Sequence, residues 1–188
     1  KEEMAPLDMV LPDQFIDLTR QRVGTFFGDG AVAHVSMAQP TCPTLATIMA
    51  RSVRHLSETD PIRLHEGGTY VCIEGPQFSS QAESHWYRSM GASVIGMTNM
   101  PEAKLAREAQ MAYATLAMVT DYDCWREGEA VDVAQVVAQM QLNGKLAREM
   151  LARFINAWGD AVLHAGIARL VVSDIPQHLA PEDAAHFV

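Results

Sequence analysis

Two carboxylates that stand two residues apart are the first residues in this chain that could do chemistry. Asp121 and Asp123 directly follow an apolar run, and carboxylates held close together raise one another's pKa. A protonated aspartic acid donates a hydrogen bond to a ring nitrogen, and an ionised one accepts from an amino group, a pairing that matches the N7/N6 edge of adenine. Aspartate is also common in turns, so a pair that only caps and solvates a loop is the alternative that the pattern leaves open.

A second position, Thr98, favours an anion. Thr98 follows a short apolar run at residues 92–97, and a helix with Pro101 in its first turn is predicted immediately after it. The free N–H groups and the positive dipole end of a helix N-terminus attract anions. The sequence therefore predicts a phosphate-sized anion near Thr98, about one strand away from the two carboxylates.

A parallel sheet would bring these positions together. The nearly all-apolar runs at residues 92–97 and 113–119 predict buried strands, and the helix between them predicts a right-handed crossover. Ligands bind beyond the carboxyl ends of such strands. Periodicity and caps predict the remaining elements. These include strands at 9–17 and 69–74 and a helix at 44–55. Two further helices are predicted, one from the Ser80–Glu83 capping box to about residue 90 and one from a cap at Asp132 and Gln135 through Phe154.

Composition restricts the class of function. The 188 residues are 48% hydrophobic and 20% charged, as in a globular domain, and the net charge of −9 works against nucleic-acid and membrane binding. No apolar run approaches the roughly 18 residues of a membrane span, and no signal-peptide pattern is present. The three cysteines (Cys42, Cys72, Cys124) form no pair, and the seven histidines show no metal spacing, so we expect a reduced, cytoplasmic protein without a metal.

Three segments together resemble the trimeric purine nucleoside phosphorylase family, and its methylthioadenosine branch in particular. Residues 68–84 (GTYVCIEGPQFSSQAES) are similar to the family's purine loop, and residues 95–102 (IGMTNMPE) to its ribose and phosphate segment. Residues 117–125 (AMVTDYDCW) resemble the segment that recognises 6-aminopurines. The resemblance extends from residues 13–17 to about residue 152, and it implies an α/β fold with a mixed sheet flanked by helices.

The resemblance implies roles for the two positions named above. Asp121 is the catalytic residue, a proton or hydrogen-bond donor to N7 of the leaving base, and Asp123 holds the amino group, with Tyr122 between them in the binding loop. Met97 packs under the ribose and contacts it through its backbone, and the Thr98 hydroxyl binds phosphate. Purine phosphorylases of the family's 6-oxopurine branch usually carry Asn in place of Asp121, so specificity for 6-aminopurines is expected.

Further substrate contacts are implied in other segments. Phe78 stacks on the purine, while Ser79 and Val133 shape specificity. His34 reaches across into the 5′-methylthio pocket of a neighbouring subunit in a homotrimer. Gly96 stands where animal members carry Asn, so the base or ribose contact made by that Asn is missing here. From pattern alone, a single histidine such as His34 is more often structural.

The start of the chain departs from the family pattern. Family members carry a Gly-rich phosphate loop, an Arg-His phosphate pair and a further Thr contact in a region that lies before Lys1. We therefore expect residues 1–188 to be a single partial domain, the C-terminal two thirds of the fold without its N-terminal third. We also expect this part to be inactive by itself.

The implied reaction is phosphorolysis of 5′-methylthioadenosine to adenine and 5-methylthioribose 1-phosphate, a step of purine and methionine salvage. Inorganic phosphate is the co-substrate, and no cofactor is expected. Two alternatives stay open: a broader purine nucleoside or methylthioinosine phosphorylase, and a non-catalytic nucleoside-binding subunit.

Overall fold

The computed structural model describes residues 1–28, 30–58, 61–126 and 133–162, with only the backbone described at 133, 135 and 158–162. Within these ranges the strands and helices follow one another in a mixed order. The elements are β1 (Met9–Leu11), β2 (Gln14–Asp17), α1 (Pro43–Leu56), β3 (Leu64–Glu66), β4 (Thr69–Cys72), α2 (Gln81–Ser89), β5 (Ala92–Gly96), α3 (Glu102–Glu108), β6 (Ala117–Met118), a 3₁₀ turn (Asp123–Trp125) and α4 (Val133–Val162).

The strands form two three-stranded sheets that continue into each other. One sheet has the order β3-β1-β6, with β1 parallel to β3 and antiparallel to β6, and the other is the all-parallel sheet β2-β4-β5. Only two residues separate β1 from β2 and β3 from β4. At the second break, Gly68 has a φ of +112°, and a Cβ there would lie 2.5 Å from Ser93 Oγ, so glycine is required where the parallel ladder bends. The expected mixed α/β architecture is confirmed.

The predicted crossover from β5 through α3 to a parallel neighbour is wrong. β6 has only two residues and pairs with β1 in the other sheet, in the antiparallel direction. The backbone groups of Val119 continue that pairing, with Leu7 N donating to Val119 O at 2.9 Å and Val119 N donating to Asp8 O at 3.0 Å. The apolar run at 113–119 is only partly buried, and an apolar pattern does not specify which strand is the partner.

Helices cover the sheets on the faces that the apolar residues line. α1 and α4 pack on β1 around a core of Met9, Val53, Leu56, Ile62 and Met150. On the parallel sheet, alternate residues of β4 face opposite sides, as the period of a strand requires. Tyr70 and Cys72 pack with Ala103 of α3, while Val71 packs with Tyr87 of α2.

The predicted helices agree with the structure to different degrees. The capping box forms, with Glu83 N donating to Ser80 Oγ at 3.3 Å and Ser80 N donating to Glu83 Oε2 at 2.7 Å. In α4 the stripe around Met150 is in the core, whereas Val137 and Met140 are 48% and 59% exposed. The proposed cap at Asp132 and the tail after Gly166 lie outside the described residues.

The described part of the chain has no helix with both the length and the apolar character needed to cross a membrane.

Candidate active site

The loop after β6 places Asp121 and Asp123 side by side. Thr120 Oγ1 donates to Asp121 Oδ2 at 2.7 Å, and the backbone N–H of Asp123 donates to Asp121 Oδ1 at 2.8 Å. Asp123 adopts a positive φ of 59°, a conformation that Asp tolerates better than most residues. The Asp121 carboxylate is therefore oriented by the loop itself, and a purine would have to share or replace one of its partners.

Helix α2 fixes the second carboxylate. Ser84 lies one turn after the N-cap Ser80, is 2% exposed, and donates from Oγ to Asp123 Oδ2 at 2.5 Å. A hydroxyl donor to a carboxylate is a strong, orienting contact. Sequence reasoning missed this role, although Ser84 is the last residue of the purine-loop segment, because nothing local connects residues 39 positions apart.

Aromatic and cationic side chains hold the 3₁₀ turn against α2. The Arg88 guanidinium lies 3.7 Å from the centre of the Trp125 ring, and Arg126 lies 4.4 Å from that of Tyr122. Tyr122 and Trp125 meet edge to face at 6.0 Å. These ring contacts hold the loop in one conformation, so Tyr122 stabilises the loop that carries the two aspartates.

Asp121, Tyr122 and Asp123 line a cavity of about 120 Å³. Ser84, Tyr87 and β5 form the remaining wall near the carboxylates. A concave surface with a few convergent polar groups is the usual form of a small-molecule site.

The purine-loop residues lie beside this cavity. Cys124 Sγ contacts Ser79 O at 3.3 Å, which ties Ser79 to the aspartate loop. Burial raises the pKa of Tyr87, and its hydrogen bond to Ser79 opposes that rise. The Phe78 ring is 58% exposed, so one face is available for stacking.

Met97 and Thr98 lie on the turn after β5. A Cβ on Gly75 would come within 2.6 Å of Met97 Sδ, so the methionine packs directly over the start of the purine loop. Thr98 is exposed, and its hydroxyl donates to Asn99 Oδ1 at 3.4 Å. It lines a separate cavity of about 460 Å³ together with Arg22 and Glu102.

The helix-dipole argument for an anion at Thr98 loses strength in the structure. α3 begins only at Glu102, which places a carboxylate in its first turn, and it has seven residues. Its N-terminal N–H groups at Ala103 and Leu105 already donate to Asn99 O and Pro101 O at 3.0 Å. The assignment of phosphate to Thr98 therefore depends on its hydroxyl and on the family resemblance.

Tyr70 occupies the space that the missing side chain of Gly96 leaves. A Cβ on Gly96 would lie 1.8 Å from Tyr70 Oη, so only glycine fits under this hydroxyl. Burial raises the pKa of Tyr70, and a hydrogen bond with Thr98 opposes that rise. The position where animal members have Asn therefore still has a polar group beside it, supplied by β4.

One expected contact is absent from the two cavities of the described chain, and another falls on a side chain outside the described residues. His34 is exposed in the segment between β2 and α1 and is not among the residues that line either cavity. Val133 is the first residue of α4, but its side chain lies outside the described residues. In the described part of the chain, no group of three or more His, Cys, Asp or Glu side chains could hold a metal ion.

Comparison with known proteins identifies the family of this chain. The family model described as the phosphorylase superfamily matches residues 1–156. The chain belongs to this superfamily. Such phosphorylases include the S-methyl-5'-thioadenosine phosphorylase of Thermosynechococcus vestitus, which is 55% identical over 156 residues, covering 82% of this chain and 54% of the relative.

Solved phosphorylase structures share the fold closely. A methylthioadenosine phosphorylase from an Antarctic soil metagenomic library superposes with a TM-score of 0.84 at 46% identity, over 100% of this chain and 68% of that one. The Schistosoma mansoni methylthioadenosine phosphorylase in complex with adenine gives a TM-score of 0.79 at 33% identity, over 95% of this chain and 70% of that one. The chain spans about half the length of the curated phosphorylases it matches.

Proposed function

We propose that this chain carries the purine- and ribose-binding part of a phosphorylase that converts 5′-methylthioadenosine and phosphate to adenine and 5-methylthioribose 1-phosphate. The observation that carries the proposal is the pair of aspartates, oriented by Thr120 and Ser84, on the wall of a cavity. Relatives named for this activity, including one in complex with adenine, support the choice of substrate.

The site would act mainly on the leaving base. Cleavage of the glycosidic bond places electron density on the purine and positive charge on the ribose. Asp121 would stabilise the departing base by donating to N7, and Asp123 would accept from the 6-amino group. Donors placed in advance where charge develops supply several kcal/mol of barrier reduction.

Phosphate would approach from the turn that carries Met97 and Thr98. Its placement under the anomeric carbon makes the step effectively intramolecular. Inorganic phosphate is a co-substrate, and the proposed reaction uses no metal or organic cofactor. Phe78 would stack on the base, Ser79 and Val133 would limit which nucleosides fit, and Asp121 would favour 6-aminopurines over 6-oxopurines.

The proposal extends to assembly and location. We place residues 1–188 in one phosphorylase domain and expect a homotrimer in which the exposed His34 reaches the 5′-methylthio end of a substrate bound by its neighbour. The three cysteines of the chain are free thiols, a state that the reducing cytoplasm maintains.

The test measures adenine release from methylthioadenosine at saturating phosphate. Because the chain spans about half of its curated relatives, residues 1–188 are assayed alongside a chimera that adds the preceding segment of the Thermosynechococcus vestitus enzyme. Phosphate-dependent adenine release by either form, with methylthioadenosine preferred over inosine, supports the proposal. Preference for inosine would favour a broader purine phosphorylase. Adenine binding without turnover in both forms would favour a non-catalytic subunit.

A further inference from the structure

Arg22 makes an unusually complete set of hydrogen bonds to residues that flank the candidate site. Its Nε donates to Glu74 Oε1 at 3.0 Å. Nη1 donates to Met97 O at 2.6 Å and Met100 O at 2.5 Å, and Nη2 donates to Ile73 O at 3.3 Å and Glu74 O at 2.7 Å. A guanidinium has five N–H donors, so each one has a partner.

The partners come from the ends of two adjacent parallel strands. Ile73 and Glu74 follow β4, whereas Met97 and Met100 bracket the turn that follows β5. The carbonyls of that turn lie on either side of Thr98 and Asn99, so the guanidinium holds both ends of the segment that presents the Thr98 hydroxyl. Arg22 itself is more than 50 residues away in sequence from all of these partners.

The loop that carries Arg22 is held in return by Glu74. The second carboxylate oxygen of Glu74 accepts from Arg20 N at 2.5 Å and from Gln21 N at 3.0 Å. These N–H groups, followed by the Arg22 side chain, lower the pKa of Glu74. The Arg22 network, meaning Arg22, Glu74 and the carbonyls of residues 73, 74, 97 and 100, therefore joins three segments.

Arg22 lines the cavity next to Thr98, which raises the question of whether it binds phosphate directly. A guanidinium that binds phosphate must point N–H groups at it. Here the five donors point at a carboxylate and at four backbone carbonyls, and the side chain is only 21% exposed. Its geometry suits holding the turn rather than contacting the anion.

We propose that Arg22 is a positioning residue, which holds the turn of residues 97–100 so that Thr98 and Met97 meet phosphate and ribose. This inference rests on the proposed function for the identity of those ligands. Lysine cannot replace Arg22, because an ammonium has three donors without the planar fork that reaches two strand ends. Binding of the adenine edge should be unaffected, because Asp121 and Asp123 are oriented by Thr120 and Ser84, which are not part of the Arg22 network.

The test compares Arg22→Lys with Arg51→Lys, which changes an exposed arginine on α1, in the form that turns over. A misplacement of about 1 Å near reacting groups costs up to about a hundredfold in rate, so Arg22→Lys should lower kcat and raise KM for phosphate more than KM for the nucleoside, whose adenine edge is held by other residues. Added guanidinium ion should partly restore phosphate KM in Arg22→Ala. Equal changes in both KM values, or unchanged phosphate kinetics, would overturn the proposal.

A second measurement separates this proposal from the proposed function. Hydrogen exchange of residues 1–188 should show faster exchange at 97–100 in Arg22→Lys, with α1 unaffected. If wild type releases no adenine, the proposed function fails, and exchange alone decides about Arg22. Unchanged exchange at 97–100, or an increase spread over the whole chain, would show that Arg22 does not position this turn.

Discussion

In the proposed reaction, the choice between a carboxylate and an amide at position 121 would decide which purine the loop binds. A carboxyl group can carry a proton to N7, whereas an amide donates an N–H without transferring a proton. Both oxygens of Asp121 are already oriented by Thr120 and the backbone of Asp123. Substitution by the isosteric amide therefore tests chemistry more than shape.

Asp121→Asn should slow cleavage of methylthioadenosine and shift preference towards 6-oxopurines. Loss of a hydrogen bond to a group that develops charge should raise the barrier by roughly 2–4 kcal/mol. The measurement is kcat/KM for methylthioadenosine and for inosine in the active form. Unaltered kinetics with methylthioadenosine would remove Asp121 from the mechanism.

Ser84→Ala should weaken adenine binding without unfolding the protein. The variant removes the donor at 2.5 Å from Asp123, and hydrogen bonds to charged groups contribute about 1.5–3 kcal/mol. Calorimetric titration with adenine measures the loss. Ser89→Ala is the matched control, because Ser89 lies on the same helix and donates only to Trp86 O. A similar affinity loss in both variants would show a general effect on α2 instead.

At the scale of elements, local patterns predict where an element exists better than what it pairs with. The capping box, the apolar stretch of α1 and the apolar run of β5 are all local, and each appears at the predicted place. The partner of β6 depends on β1, more than 100 residues earlier, and no periodicity carries that information. The same limit hid Ser84 and Arg22, whose roles arise from contacts 39 and 75 positions apart.

Ser80→Ala should destabilise α2 and loosen the support of Ser84. Loss of an N-cap side chain costs about 1 kcal/mol. The substitution removes the hydrogen bond from Glu83 N to Ser80 Oγ but keeps the bond from Ser80 N to Glu83 Oε2. Urea denaturation measures the free energy of unfolding. Ser80→Asn should retain most of the stability, because Asn is an equally good N-cap. Equal destabilisation by both substitutions would mean that the hydroxyl acts through packing rather than capping.

At the scale of the whole molecule, three aromatic side chains pack together against the parallel sheet, and two of them are phenols that can ionise. Phe15 contacts Tyr70 and Tyr113 at ring-centre distances of 6.0 and 6.2 Å, beneath the turn that carries Thr98. Burial raises the pKa of Tyr70, Tyr87 and Tyr113. The packing that supports the site therefore requires neutral phenols.

This requirement predicts a loss of stability in alkali. Burial raises the pKa of Tyr113 from 10.0 to about 12, so between these values the unfolded chain releases a proton that the folded chain retains. The unfolded state then binds fewer protons, and the free energy of unfolding falls as pH rises, by about 1.4 kcal/mol per pH unit for each such group. The stability that depends on a neutral Tyr113 is fully present below pH 10 and is lost as pH rises through the folded-state pKa of this phenol.

Denaturant titrations at a series of pH values between 8 and roughly 11.5 should show this decline. Tyr113→Phe should make the free energy of unfolding depend less steeply on pH, by the equivalent of about one proton, because the phenol that titrates is gone. Thr115→Val is the control, since it removes the hydroxyl that donates to Tyr113 Oη at 3.1 Å but keeps the buried phenol. Its slope should be at least as steep as that of wild type, because burial raises the pKa of Tyr113 and the Thr115 hydrogen bond opposes that rise. An identical slope in Tyr113→Phe and wild type would show that Tyr113 does not couple folding to proton release.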